Sequence, residues 1–374
     1  IHAPKNHEQM ESARSRLVYQ ELFILQLALA IRRHRIQTTN VSPQLELTPK
    51  IRARIIGRLP FTLTETQKTA FHEIAADMGQ NFPMNRLLHG EVGSGKTVVA
   101  VCAMLLAVAH GNQATLMAPT EILAQQHYQT LKKLLENSRV RMTLWTGSLK
   151  PGERKKIAKQ ISDGEVDLVI GTQAVVASKI DFRQLGLVVI DEQHKFGVRQ
   201  RALLKQSGHD PHYLVMTATP IPRTISMTLF GDLDVSILQR TSGVGQKVNT
   251  YLGLEKNRDQ WWEFFRKKLK EGRQGFIVAP LVNADDDSEL SSAERMFETL
   301  ANGPLSEFRL DVLHGKQSAE EKDIAMQNFV NGKTQAIVAT GVVEVGINVP
   351  NATLMTIESA ERFGLSQLHQ LRGR

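Results

Sequence analysis

The sequence predicts an α/β fold of two parallel-sheet domains, preceded by an N-terminal helical segment. Three observations carry that expectation. Apolar runs of strand length alternate with helix-length segments along most of the chain, which is the βαβ signature of a parallel sheet. The alternation occurs twice, and Thr241-Ser242-Gly243-Val244-Gly245, with the composition of a linker, separates the two series. At 374 residues the chain is long enough for two domains of ordinary size, each with its own core.

Residues 7–36 read as one long helix, because Leu17, Leu22, Leu25 and Leu29 recur near three- and four-residue spacing. Arg32, Arg33 and Arg35 crowd its C-terminal end, where cations favour the helix dipole; contact with DNA is the alternative reading. A polar stretch from Gln37 to Pro49 leads into the first domain. There Leu87-Leu88-His89, Ala114–Ala118, Val166–Ile170, Leu187–Ile190 and Tyr213–Met216 are the strand candidates. In the second series they are Gly275–Ala279, Arg309–Leu313, Thr334–Ala339 and Leu354–Ile357, with Asp285-Asp286-Asp287 expected in a loop. The expected boundaries are 1–50 for the helical segment, 51–242 for the first domain and 243–374 for the second.

Lysine and arginine number 46 against 38 acidic residues, a net charge of +8. Such a balance suits a polyanionic partner, since phosphate neutralisation releases counterions; a solvated basic surface explains the charge equally well. No apolar run approaches the 18 or so residues of a membrane span, and no secretory signal is visible. The single cysteine, Cys102, suits a reducing compartment, and no Cys/His cluster has zinc-ligand spacing. The chain begins at Ile1 and stops at Arg374, so it is expected to be a piece of something longer.

The most informative segment is Gly90-Glu91-Val92-Gly93-Ser94-Gly95-Lys96-Thr97, which fits the phosphate-loop pattern. Three glycines let backbone N–H groups curl around phosphates. Lys96 brings a positive charge to the terminal phosphates, and the Thr97 hydroxyl can ligate Mg²⁺. The helix expected from Val98 to Leu106 aims its N-terminus at the anion. At ordinary residue frequencies the four fixed positions recur by chance about once per hundred chains of this length. The strand–loop–helix context makes chance rarer still.

Leu187-Val188-Val189-Ile190-Asp191-Glu192 supplies the other half of the site. A buried parallel strand would end in two carboxylates at its C-terminal tip, where open α/β sheets place ligands. Asp191 would hold Mg²⁺ through the ion's water shell, and Glu192 would orient or deprotonate the attacking water. An exposed acidic turn is the alternative when the pair is taken alone. Together with the loop, the pair specifies nucleotide hydrolysis with Mg²⁺.

Phe61, Thr62, Leu63 and Gln67 lie upstream of the loop, where a Gln amide can pair with an adenine edge. Ala118-Pro119-Thr120-Glu121, Thr146-Gly147-Ser148 and Gly171-Thr172-Gln173 each follow a strand or turn. Small hydroxyl residues and backbone N–H groups there suit phosphate contacts that do not read sequence. Thr217 and Thr219 follow another strand and could link hydrolysis to a DNA path. Taken singly, each is more often an ordinary turn or helix cap; their order and completeness carry the argument.

With these motifs the chain resembles superfamily 2 helicases and, within them, the RecG family of branched-DNA helicases. The most particular segments are Asp191-Glu192-Gln193-His194-Lys195-Phe196-Gly197-Val198-Arg199-Gln200-Arg201 and Met216-Thr217-Ala218-Thr219-Pro220-Ile221-Pro222-Arg223-Thr224. Gly231-Asp232-Leu233-Asp234, Leu313-His314-Gly315-Lys316 and Gln367–Arg374 continue the likeness to the end of the chain. The resemblance implies two RecA-like P-loop domains that close on ATP and Mg²⁺ and ratchet along DNA. It implies phosphate-facing roles for Gln370 and Arg374 from the second domain. It also implies DNA contact or coupling at Gln193, His194, His314, Gly315, Thr340 and Glu344. The partner would be branched or duplex DNA without sequence preference, and the protein a monomer of the bacterial cytoplasm associated with the nucleoid.

Departures from the family pattern are specific. Asn348 stands where some relatives carry Asp, Glu91 replaces the more usual Asp, and Thr241 to Gln246 lacks a common Pro-containing pattern. The family's last motif continues past Arg374, and residues 1–36 resemble only the trailing helix of its wedge domain. The chain is therefore expected to bind ATP, hydrolyse it slowly and unwind nothing alone. The nearest rival reading is a transcription-repair coupling translocase with the same motor. A primosomal helicase would carry a cysteine-rich insertion, and a P-loop kinase an acceptor pocket and lid. A DNA-binding scaffold with a degenerate motor would be expected to have lost one of Lys96, Thr97, Asp191 or Glu192, all present here.

Overall fold

Both series of strands and helices form parallel sheets, each in its own unit. The computed structural model describes residues 5–178, 180–191, 210–217, 233–239, 248–280, 288–315, 317–340 and 349–373. The chain divides into units 1–240 and 241–374. The expected linker 241–245 and the acidic loop 285–287 lie outside the described residues.

In the first unit the strands are β1 (Asn85–Gly90), β2 (Gln113–Met117), β3 (Met142–Trp145), β4 (Leu168–Gly171), β5 (Leu185–Asp191), β6 (His212–Thr217) and β7 (Asp234–Leu238). Among the described residues they form one sheet in the order β3-β4-β2-β5-β6-β1-β7. Every pairing is parallel. Strands β2, β4 and β6 are buried at every position and β5 at all but its last, as unbroken apolar runs require of strands covered on both faces. The two edge strands are the ones the apolar runs did not announce. In β7 Val235 and Ile237 are exposed while Ser236 and Leu238 are buried, so its pattern alternates.

Helix α4 (Lys96–Ala109) is buried continuously from Val99 to Ala107, between the sheet and helices α2 (Pro49–Ile56) and α3 (Glu65–Met78). A helix apolar on all sides can sit only in such a place. Arg86 on β1 ties that strand to α3 and to β7. It donates to Asp77 at 2.7 Å, to Glu73 at 3.3 Å and to Ser236 Oγ at 2.9 Å. The strand leading into the phosphate loop is thus fixed from two sides.

Helix α1 (His7–Thr39) exists as expected, starting at an Asn6 cap, but its apolar spacing does not mark a core face. None of its described residues is buried, and Leu17, Leu22, Phe23 and Leu27 are exposed. The apolar residues surround the helix instead of forming one stripe. Arg33 pairs with Asp234 at 2.8 Å, so one of the three crowded arginines is committed to the first unit's edge strand. The stretch Gln37–Pro49 also differs from a simple polar lead-in. Its first three residues belong to α1, and Ser42 and Leu45 are buried, with Leu45 N–H donating to Met78 O at 2.8 Å.

In the second unit β8 (Gln274–Val278), β9 (Leu310–Leu313), β10 (Ala336–Ala339) and β11 (Ala352–Ile357) pair in parallel in the order β11-β8-β10-β9. The central pair is fully buried. Trp262, Phe265 and Leu269 of helix Arg258–Lys270 pack with Ile277, Val338 and Leu354.

Candidate active site

The phosphate loop follows β1, and its glycines stand where the backbone requires them. Gly93 has φ +81° and Gly95 φ +87°, a region that residues with a Cβ rarely enter. A Cβ on Gly95 would also lie 2.3 Å from Gln67 Nε2. No side chain caps α4, because Gly95 is its N-cap. The first-turn amides and the dipole therefore point toward whatever the loop encloses. Lys96 Nζ donates to Gly90 O at 2.7 Å and to Glu91 O at 3.0 Å, which holds the ammonium inside the loop. Ser94 Oγ is buried with no partner among the described residues.

Gln67 braces this loop through the capping chemistry of α3. Its Oε1 accepts from Thr64 N–H at 3.0 Å, closing a capping box with Thr64. Its Nε2 donates to Ser94 O at 3.0 Å. The amide expected to read adenine is thus held between α3 and the phosphate loop. Phe61, four residues before the helix, is exposed.

Asp191 ends β5, and β6 lies between β5 and β1 in the sheet. Two strand spacings place the carboxylate and the loop roughly 10 Å apart at the same C-terminal edge. Thr217, the last residue of β6, pairs in register with His89 of β1, and Met216 with Asp191. The expected coupling threonine therefore sits between the two halves of the site. Asp191 Oδ2 accepts a hydrogen bond of 2.8 Å from His127 Nε2, on helix α5 (Glu121–Leu134). His127 was not among the residues singled out from the sequence. Nothing in its helical surroundings distinguishes it from a surface histidine, and only the sheet order reveals its partner.

The three loops read as phosphate contacts converge, since β3, β4 and β2 are consecutive neighbours. Ala118 N–H donates to Gly171 O at 2.8 Å, and Thr172 N–H to Trp145 O at 3.3 Å. Gly171 permits this closeness, because a Cβ there would lie 2.2 Å from Trp145 O. Thr120 caps α5 by accepting from Leu123 N–H, and Glu121 Oε1 accepts from Ser148 N–H at 3.2 Å. Arg154 on helix α6 (Pro151–Ser162) donates to Thr146 O and Gly147 O at 3.2 and 3.0 Å, leaving Gly147 and Ser148 exposed. Pro119 and Gln173 are half-buried in the same loops. A groove of about 970 Å³ beside α2 and α3, lined by Glu46, Arg52 and His72 among others, shares no residue with this site.

In the second unit His314 and Gly315 follow β9, and Thr340 follows the adjacent β10, with Thr340 N–H donating to Leu313 O at 3.1 Å. His314 Nδ1 and Thr340 Oγ1 are buried without partners among the described residues. Gln370 lies in helix Leu365–Arg372. Glu192, Gln193, His194, Thr219, Glu344 and Arg374 lie outside the described residues.

The residues present fit a Mg²⁺-bound nucleoside triphosphate. The loop is a concave run of amides with a lysine inside it, and a carboxylate ends the strand two places away at the same sheet edge. Residues 64–228 match the DEAD/DEAH box helicase family, and residues 259–374 the helicase conserved C-terminal domain. The ATP-dependent DNA helicases RecG of Synechocystis and Thermotoga maritima are each 44% identical over the whole chain, and that of Bacillus subtilis is 43% identical. The structure of RecG bound to a three-way DNA junction superposes with TM-score 0.85 at 43% identity, covering 99% of this chain and 49% of that one. Along its whole length the chain is similar to the RecG helicases, and it carries both conserved helicase domains. It spans about half the length of these relatives: 45% of the Synechocystis protein, 48% of the Thermotoga protein and 55% of the Bacillus protein. Its two parallel-sheet units are RecA-like domains. The structure of S. cerevisiae Dbp5 bound to RNA and ADP BeF3 shares the fold at TM-score 0.59 and 17% identity over 88% of this chain.

Proposed function

We propose that this chain is the ATP- and Mg²⁺-dependent motor of a RecG-type helicase acting on branched DNA in recombination and repair. The observation that carries it is the convergence of two sets of residues on one sheet edge. The phosphate loop and Asp191 share that edge with the loops at Thr120, Ser148 and Thr172. The likeness to proteins named as DNA helicases, one of them bound to a three-way junction, supports branched DNA as the substrate. The boundaries we propose are 1–50, 51–242 and 243–374, supported by the division near residue 240 and by the two family matches.

In this mechanism Lys96 exchanges its loop carbonyls for the terminal phosphates, and the α4 amides bind the phosphate oxygens. Thr97 and Asp191 would hold Mg²⁺, which when bound would supply positive charge to the phosphates. The Glu192 carboxylate orients the attacking water and accepts its proton. The family pattern gives Gln370 and Arg374 a part in the same hydrolysis. The exposed Gly147–Ser148 turn, held by Arg154 and Glu121, meets DNA phosphates and reads no base. The partner is one duplex or junction per monomer, in the bacterial cytoplasm at the nucleoid.

Two variants test the assignment. Lys96→Ala is expected to lower ATP affinity by about 10–100-fold, the worth of one or two charged hydrogen bonds. Glu192→Gln is expected to bind ATP normally and not turn it over. Parental affinity in the first contradicts the loop assignment, and parental turnover in the second removes Glu192 from catalysis.

A further inference from the structure

We propose that His127, on helix α5, is a positioning residue for the metal site, holding the Asp191 carboxylate so that it faces the Mg²⁺ of the bound nucleotide. The inference rests on the reading of Asp191 as a metal-holding group and goes beyond it, since no role follows for His127 from the motifs. A carboxylate only accepts, so the 2.8 Å contact is His127 Nε2–H donating to Asp191 Oδ2. One oxygen of Asp191 is thereby fixed. Rotation about the carboxylate torsion, otherwise broad, is restricted.

Restriction matters because Mg²⁺ demands near-ideal octahedral geometry and is held through few protein carboxylates. Groups that hydrogen-bond a metal-holding side chain commonly set its orientation. The contact is shielded, with side-chain exposures of 13% for His127 and 15% for Asp191, so water competes weakly with it. The support behind His127 is stiff. Leu123, Ala124 and Leu131 of α5 are buried, Thr120 caps the helix, and Glu121 binds the Ser148 amide. The same helix therefore begins in the loops that face DNA and, six residues on, grips the metal carboxylate.

The test is Mg²⁺-dependent retention of a fluorescent, non-hydrolysable ATP analogue by four proteins: the parent chain, His127→Ala, His127→Gln and Asp191→Asn. Thermal melts accompany each. His127→Ala is expected to raise the Mg²⁺ concentration for half-maximal retention by about tenfold or more. His127→Gln, which keeps an N–H donor at similar reach, is expected to stay within about threefold of the parent. Asp191→Asn is expected to shift at least as far as His127→Ala. An unshifted His127→Ala beside a shifted Asp191→Asn overturns the role of His127 and leaves Asp191 in place. An unshifted Asp191→Asn overturns the metal reading itself. Equal loss in the Ala and Gln variants, with early melting in both, also overturns the proposal, since the histidine would then be holding the fold only.

Discussion

At Gly95 the chain uses the absence of a side chain twice: for φ +87°, and for room beside the Gln67 amide. Both demands fall on one residue, so Gly95→Ala strains the backbone by about 1–3 kcal/mol and displaces Gln67. The expected result is loss of ATP binding with a modest fall in melting temperature, read by nucleotide titration and thermal melt. Gln67→Leu should loosen the same loop more gently, because the capping-box and Ser94 bonds are each worth about 1 kcal/mol. Cys102 makes a contrasting case. Burial inside α4 pushes its thiol up to about 12, so no thiolate forms near neutral pH. Its reaction with a thiol reagent is expected to occur only on unfolding. Labelling of the native chain at the rate of a free thiol would contradict the buried α4. The phosphate loop and Asp191 were legible because their chemistry fixes residue types at fixed spacings. His127 was not, because its partner lies 64 residues away and only the fold, with α5 packed on β3 and β4, brings the two together.

Among elements, the central strands were legible and the edges were not. Strands β2, β4, β5 and β6 are runs of apolar residues because both faces are covered; β3 is short and only partly buried, and β7 alternates. Helix α1 was legible by its leucine spacing, and its apolar residues lie all round it with none buried among those described. The segment 40–48 looked polar because its anchors are backbone bonds and a distant histidine. His212 Nδ1 accepts from Met84 N–H at 3.0 Å, and its Nε2–H donates to Pro43 O at 2.8 Å. This arrangement needs a neutral ring, and burial lowers the pKa from 6.5 to about 4. The unfolded chain therefore binds a proton first as pH falls, so this stabilisation is whole above pH 6.5 and is lost down to about pH 4. The shift corresponds to about 3 kcal/mol. Urea midpoints should fall across that window in the parent and fall less in His212→Gln; parallel slopes would contradict the neutral bridge. A second buried anchor recurs in both units. Gln113 opens β2 and donates to Ile161 O and Val166 O, while Gln274 opens β8 and donates to Phe329 O and Thr334 O. Gln274→Leu orphans two carbonyls and should destabilise the second unit by about 2–4 kcal/mol, measured by denaturant unfolding.

For the whole molecule, composition allowed a polyanionic partner without requiring one. The loops after β2, β3 and β4 turn that allowance into a proposal, because they bring Thr120, Gly147, Ser148 and Thr172 to the sheet edge that carries the phosphate loop. A motor that grips the backbone through phosphates should bind duplexes of unrelated sequence alike. If it neutralises about six phosphates, affinity should fall by about a thousandfold between roughly 50 and 200 mM salt. The division into two α/β domains was legible from two series of strands separated by a Gly-containing stretch; the roles of Gln370 and Arg374 rest on the family pattern alone. The most direct test of the motor reading is ATP turnover by this chain with no DNA, single strands, linear duplex and a three-way junction. The account predicts slow turnover without DNA and a clear rise with duplex-containing DNA, largest on the junction. Turnover indifferent to every DNA, in a chain that binds ATP, would contradict it.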